Sequence, residues 1–308
     1  MKNEMKKDAK TNSVIIKNKK TTLVNKFGWP DVILLIILTA WALVIVLPFM
    51  NVIAISLSSQ HAYAVEPLLL FPKEFTWKSY QNLFQDGRVW IGFRTNFQFL
   101  LIALPINMVL TTTIAYALSR KGYPGRKLIM RFVLFTMLFN GGIIPLYLTI
   151  KSYHLMGTLT AVALVTGLNT FYMIIMLNFF QSLPDSLIES ARLDGAGEWT
   201  TLFRIVLPLS KPVIATVFLY YFVDRWNEWY YAMIMVRDTA KTPLQLILRN
   251  IVLESQAMDN ITTDSVDIYS FSMGIKMGAL IVTIIPVMCV YPFLQKHFTK
   301  GIMIGAIK

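Results

Sequence analysis

Five stretches of this chain, 32–65, 95–119, 132–150, 155–184 and 277–295, contain no Asp, Glu, Lys or Arg. Each reaches the roughly 18 residues at which an uncharged run reads as a bilayer-crossing helix. A sixth stretch, 212–236, is apolar at both ends and is interrupted only by Asp224, Arg225 and Glu228, so it counts as a further span. The economy of charge is general: 55% of the 308 residues are apolar and 15% are charged, against roughly 25% charged in an ordinary soluble domain. The expected class is an all-α membrane protein with six transmembrane helices.

A net charge of +12 raises the alternative of a nucleic-acid binder. The distribution of the 29 Lys and Arg argues against it. With the spans numbered in order, 19 fall on one side, in residues 1–30, 120–131, 192–211 and from 296 onward, while eight fall on the other. Basic loops stay in the cytoplasm, so both termini are expected inside, and six spans agree with that. Nothing resembles one groove-facing basic patch. Residues 1–29 read as a basic cytoplasmic tail, with Trp29 and Pro30 marking an interfacial anchor and a helix start. The first apolar run is longer than a signal-peptide core, so it is expected to be retained. The rest, 30–308, reads as one six-helix domain without internal repeat.

Outside segments are expected at 57–94 and 237–270. The first carries the turn residues Pro67, Pro72 and Gly87 and an aromatic series at Phe71, Phe75, Trp77 and Tyr80. The second is the most polar and is long enough for a short helix of its own. In the third span, Asn140, Gly141, Gly142 and Pro145 must interrupt a helix. They either break it at membrane depth, where irregular backbone lines a cavity or is buried in protein, or mark its outer end. Gly274 and Gly278 have the spacing of close helix packing. Cys289 is the only cysteine, which excludes an internal disulfide. His61, His154 and His297 are too scattered for a metal site. No nucleophile–base or paired-carboxylate arrangement has an aqueous setting, so catalysis is not expected.

The most informative segment is the inside loop 184–212. Ser182, Pro184 and Asp185 supply a helix start. A short helix is expected to run to about Leu193, where Gly195, Ala196 and Gly197 force a turn. A second begins at Glu198 and is closed by Pro208. The product is a bent elbow projecting from the membrane, with Leu187, Ile188 and Ala191 clustered on one side of its first arm. The small residues Ala191, Gly195 and Ala196 suit entry into a cleft on another protein.

This loop resembles the EAA motif of ATP-binding-cassette importer permeases. Glu189, Ala191, Gly195, Ile205, Leu207 and Pro208 fall in register, and Asp194, Ala196, Phe203 and Pro212 fit its extended form; Ser190 replaces the middle Ala. The resemblance covers most of 30–308 and is closest to the carbohydrate-uptake branch, being similar to the smaller membrane subunit of the maltose importer. Arg225, Trp226, Asn227, Glu228 and Trp229 and the tail 296–308 support that branch, and 140–147 is similar to a subgroup associated with complex oligosaccharides. The resemblance implies a type I importer transmembrane domain in the bacterial cytoplasmic membrane, with a cytoplasmic coupling-helix loop. It implies that Glu189, Ala191, Asp194, Gly195, Ala196, Phe203, Ile205, Leu207 and Pro208 couple to a separate ATPase subunit. ATP and magnesium would be held there, since this chain has no G-x-x-x-x-G-K-[ST]. The implied partners are a second, homologous permease, two ATPases, an extracytoplasmic sugar-binding protein and membrane lipid. For the binding protein, the 237–270 segment offers Asp238, Lys241, Arg249 and Glu254.

Charges inside a span cost roughly 2.5–3.5 kcal/mol each on insertion scales, so Asp224, Arg225 and Glu228 are expected to face protein or water. Asp224 and Glu228 are expected on one helix face, with Arg225 pairing with Glu228 at i,i+3. Two readings stay open: a translocation path in which Trp226, Asn227 and Trp229 meet sugar, or a structural ion pair. An ion-coupled secondary transporter using Asp224 and Glu228 as proton carriers is the competing function. A membrane scaffold without transport is a third.

Overall fold

The protein, seen as a computed structural model, is described over residues 28–259 and 272–305. The expected basic tail up to residue 27, the end of the 237–270 segment and the last three residues lie outside the described residues. Among the described residues there is no strand. The helices are α1 (Trp29–Ser56), α2 (Gln60–Val65), α3 (Lys78–Gln85), α4 (Gly87–Ser119), α5 (Arg126–Leu138), α6 (Ile143–Ser152), α7 (Leu159–Val165) and α8 (Thr170–Ser182). They continue with α9 (Asp185–Leu193), α10 (Glu198–Leu209), α11 (Lys211–Trp226), α12 (Tyr230–Met235), α13 (Leu244–Asp259) and α14 (Ser272–Gly305).

Three of these, α1, α4 and Met273–Val290 within α14, are long and apolar enough to cross a membrane. The number rises to six if each bent pair is one span: α5 with α6, α7 with α8, and α10 with α11, bent by 117°, 57° and 84°. The uncharged runs are therefore less continuous than expected. The first run stops being one helix at Ser56, with α2 a separate piece capped by Ser59. The third is broken after Leu138, which favours the interruption over a mere helix end; Gly142 there has φ +87°, a conformation that costs glycine nothing. The fourth is broken at 166–169, where Asn169 caps α8 by accepting the amides of Phe171 and Tyr172. Pieces this short stay in place by tertiary packing, since an isolated helix of this length is marginal.

α4 is the central element. It packs against α7, α8, α11 and α13, and its residues enter all three large buried clusters. One joins Ala115, Tyr116 and Leu118 to Met173, Met176 and Phe180 of α8, Leu202 and Val206 of α10 and Val217 and Tyr221 of α11. Another joins Val89 and Leu100 to Trp226, Leu244, Ile247 and Ala279. The third joins Phe99 and Ala103 to Ala161, Val162 and Met235. Polar side chains tie the breaks into this frame. Asn107 of α4 donates to the carbonyls of Thr166 and Gly167 at 2.7 and 2.9 Å, satisfying backbone freed by the break between α7 and α8. Tyr221 is within 2.6 Å of the Thr111 hydroxyl and accepts the Asn169 amide at 2.9 Å. By contrast, the apolar window of α1 buries nothing inside the chain, as a surface-lining span does. Gly278 packs its backbone on Tyr80, whose ring atoms would lie 3.7 Å from an added Cβ.

Candidate functional site

The elbow forms because two short helices are joined by a backbone turn that only glycine adopts without strain. α9 carries Asp185 in its first turn and Arg192 in its last, both signs favourable to the helix dipole. Its start differs from expectation: Ser182 is the last residue of α8 and donates to the Phe179 carbonyl, so Pro184 stands at the cap without a side-chain bond. At the other end the amide of Ala196 reaches the carbonyl of Ala191 at 2.9 Å and that of Gly195 reaches Arg192 at 3.0 Å. This double bond pattern with Gly195 at φ +78° is a Schellman motif. An added Cβ at Gly195 would meet nothing within 4 Å, so the backbone angle is the constraint and not space.

α10 is not closed by Pro208 as the sequence suggests. Between Leu202 and Val206 it widens into a π-turn, in which the Leu207 amide bonds the Leu202 carbonyl, and the helix then continues through Pro208 to Leu209. The wider turn accommodates a residue that lacks an N–H and crowds the carbonyl four positions back. At Ser210 the chain turns by 84° into α11.

The elbow is anchored to the end of α4 by a charged joint. Glu198, first residue of α10, accepts the Tyr116 hydroxyl at 2.6 Å on one carboxylate oxygen and Arg192 at 2.8 Å on the other. The Arg120 guanidinium stacks over the Tyr116 ring, 4.6 Å from its centroid. Lys121 reaches Asp185 at 2.5 Å. The Tyr116 hydrogen bond, then Arg192, holds the Glu198 carboxyl below its usual range, and Glu198 in turn raises Arg192. Partial burial lowers Arg120, and Lys121 lowers Asp185. Between the joint and the basic turn at 120–124 lies a cleft of about 810 Å³, lined also by Glu189, Trp199 and Leu202.

Of the residues singled out for coupling, Glu189, Asp194, Gly195, Phe203 and Pro208 are exposed, and Ala196, Ile205 and Leu207 are half-buried. Ala191 is a correction. It is buried with Ile188 against the chain itself, so it seats the first arm and is not open to another protein, while Leu187 points to the exposed side. The exposed apolar face of the elbow is instead Leu193, 89% exposed, with Trp199 and Phe203, whose rings stack at 6.1 Å.

The second group, 224–229, lies toward the opposite end of α11. The helix ends at Trp226, so Asp224 and Glu228 do not share a helix face as expected. Glu228 stands in the break and accepts the Tyr231 amide at 2.9 Å, starting α12. Asp224 accepts the Tyr172 hydroxyl at 2.8 Å. Arg225 is buried between the two carboxylates at 3.9 and 4.0 Å, with Nε and Nη1 making no hydrogen bond. Trp226 is a further correction: it is fully buried, donates to the Thr283 carbonyl at 2.9 Å and packs against Phe93, Phe97 and Phe222, so its indole offers no face to a solute. Asn227 and Trp229 are exposed; Gln245 bonds Asn227, and Arg249 lies over the Trp229 ring at 5.0 Å.

The segment from 237 does hold a helix, α13. Asp238 caps a single turn at Thr239–Lys241 and pairs with Lys241 at 3.5 Å. Glu254 receives a two-pronged bond from Arg88, both contacts at 2.9 Å, and Arg88 also binds Asp86. Tyr116, Arg120, Arg88, Gly92 and Asn96 were not marked by sequence. Glu198, Glu254, Leu244 and Trp226, which Tyr116, Arg88, Gly92 and Asn96 meet, lie in distant parts of the chain, and no local pattern announces them.

The family model described as "Binding-protein-dependent transport system inner membrane component" matches residues 108–304. The polygalacturonan/rhamnogalacturonan transport system permease protein YtcP of Bacillus subtilis is 39% identical, over 90% of this chain and 98% of that protein. Protein LplC of the same organism is 37% identical, over 90% of this chain and 94% of its own length. A crystal structure of a bacterial ABC transporter involved in the import of the acidic polysaccharide alginate matches with a TM-score of 0.78 and 27% identity, covering 89% of this chain and all of that one.

Proposed function

The chain belongs to the family of binding-protein-dependent transport system inner membrane components, and we propose that it is the permease subunit through which an ATP-driven importer moves an oligosaccharide into the cytoplasm. It is a multi-pass membrane protein and a transport subunit, not an enzyme. Family membership together with the carbohydrate transport named for YtcP and for the alginate importer carries this reading.

In this reading α5 with α6 and α7 with α8 each make one span and α11 makes another without α10, giving six with α1, α4 and α14, and both termini and the elbow lie in the cytoplasm. The elbow docks into a groove of a separate ATPase, which holds the ATP and magnesium. The exposed Glu189, Asp194, Gly195, Phe203 and Pro208 make or shape that contact, and Ile205 and Leu207 back it from inside. When ATP closes two ATPase subunits, the elbows of this chain and of a second, similar permease are drawn together, and the spans rock between inward-facing and outward-facing states. A sugar-binding protein delivers the solute at the opposite end, where Asp238, Lys241, Arg249 and the exposed Asn227 and Trp229 are available. The ion-coupled alternative is not favoured: it leaves the elbow without a role, and Asp224 and Glu228 are already engaged by Tyr172 and by the Tyr231 amide.

Co-purification with an ATPase, followed by uptake of oligosaccharides cut from polygalacturonan or rhamnogalacturonan into proteoliposomes, tests the proposal. Uptake should require ATP and the binding protein. Uptake driven by a proton gradient without the ATPase would overturn it.

A further inference from the structure

The joint at Glu198 is one end of a longer construction. α4 runs from Gly87 to Ser119 as one helix with Pro105 inside it, and at its far end it grips α13 along a single face. Arg88, Gly92 and Asn96 recur every four residues and so form one stripe. Arg88 holds Glu254 through two bonds at 2.9 Å. Gly92 lets the backbones touch: a Cβ there would lie 2.8 Å from the Leu244 Cα. Asn96, fully buried, accepts the Leu244 amide at 3.3 Å and donates to the Trp226 carbonyl at 3.2 Å. At the other end of the same helix, Tyr116 holds Glu198 at 2.6 Å, and Glu198 holds Arg192 in the first arm of the elbow. Gly92 and Tyr116 are separated by about 36 Å of helix at 1.5 Å per residue, more than the ~30 Å hydrocarbon core. α4 also supplies buried residues to each of the three large clusters, so its length is held in one piece.

We propose that α4 is a rod carrying movement of the elbow across the membrane to α13, with Tyr116 and Glu198 as the joint at one end and Arg88, Gly92 and Asn96 as the joint at the other. Tyr116 and Glu198 are positioning residues in this mechanism, since they act through α4 and touch neither ATP nor solute. Each joint includes a carboxylate brought to α4 by the neighbouring element, Glu198 of the elbow at Tyr116 and Glu254 of α13 at Arg88. The proposal rests on the importer reading, because the movement is supplied by a separate ATPase.

Its test uses the complete transporter in nanodiscs, with amide hydrogen exchange compared between the nucleotide-free state and the state trapped with ATP and orthovanadate. In the wild type both the elbow peptide, 185–209, and the α13 peptide, 244–254, should change exchange on trapping. In Tyr116→Phe, which removes one hydroxyl, and in Glu198→Gln, the elbow should still respond while the response of α13 is lost. Gly92→Leu, at the other joint, should give the same loss with an intact elbow response. Survival of the α13 response in Tyr116→Phe and Glu198→Gln overturns the rod, as does a wild type whose elbow responds and whose α13 does not. Failure of the importer reading looks different: no ATPase co-purifies, or the wild-type elbow is silent to ATP and vanadate. A merely structural role for the joint would instead depress both responses together.

Discussion

The elbow and the break after Trp226 use the same side chains in opposite ways. At each, an arginine meets carboxylates near a point where a helix stops. In the elbow, Arg192 and Glu198 are both more than half exposed and meet at 2.8 Å. At the break, Arg225 is buried and its two carboxylates stand no closer than 3.9 Å. Solvent supplies the elbow charges with whatever bonds they lack, so their pairing sets shape more than stability. Arg225 is buried, and two of its nitrogens make no hydrogen bond. The difference sets the two sites apart: the elbow is an exposed, solvated surface, which the proposed function has an ATPase grip, and the break is a buried charge cluster at the point where α11 ends and α12 begins.

The largest effect that can break this contrast is expected from Arg225→Ala. It would leave Glu228 almost buried and opposite no cation, a loss on the order of 3 kcal/mol. Thermal unfolding in detergent should show it, and Arg225→Met with Glu228→Gln should recover most of the loss because no lone charge remains. Equal melting of wild type and Arg225→Ala would mean that water reaches the cluster. Next comes Gly195→Val. A β-branched residue at φ +78° is strained by roughly 1–2 kcal/mol, which distorts the turn between the arms without touching the core. Amount and melting temperature should change little while ATP-dependent uptake is lost. Gly195→Asn, which tolerates this backbone region, should retain much of the uptake. If Asn and Val behave alike, the backbone angle is not what matters.

The elbow was legible in sequence because its determinants are local. The helix start near Pro184, the stop at Leu193 and the glycine turn are bonded within about six residues, the reach of turn and capping rules. Where a local rule was misapplied, a neighbour had changed the outcome. Pro208 does not end α10, because the preceding turn widens to a π-turn. Glu228 does not continue the face of Asp224, because it serves as the start of α12. The composition of the spans disclosed the membrane class, yet not that three of the runs bend, since uncharged residues read alike in a straight helix and a broken one. The joints of α4 were hidden for another reason. Tyr116 and Glu198 are 82 positions apart, Arg88 and Glu254 166 apart. No periodicity connects residues at that separation. A tyrosine near one end of a span and a glycine near the other are each unremarkable until the partner is seen.

A smaller effect separates the two carboxylates of the elbow itself. Glu198 is held below its ordinary value of 4.5 by Tyr116 and Arg192. A carboxyl with a depressed folded-state pKa contributes stability that is present above its unfolded value and is lost as pH falls through the folded one. The wild type should therefore lose melting temperature more steeply than Glu198→Gln between about pH 5 and the onset of acid unfolding, and the two should converge at the acid end. Parallel curves would show that the Tyr116 bond does not depend on charge.

The smallest effect is expected at Asp185, whose pKa is lowered by Lys121 in the same way but at a fully exposed position. Water screens such a pair, and two flexible side chains lose entropy to form it. Asp185→Asn should leave melting temperature, its pH dependence and uptake unchanged within error, despite a contact at 2.5 Å that is shorter than the Tyr116 bond. A measurable loss of uptake with unchanged stability would move Asp185 from the solvated side of the contrast to the gripped side: the aspartate would then be meeting something other than Lys121, and the ATPase contact would extend to the start of α9.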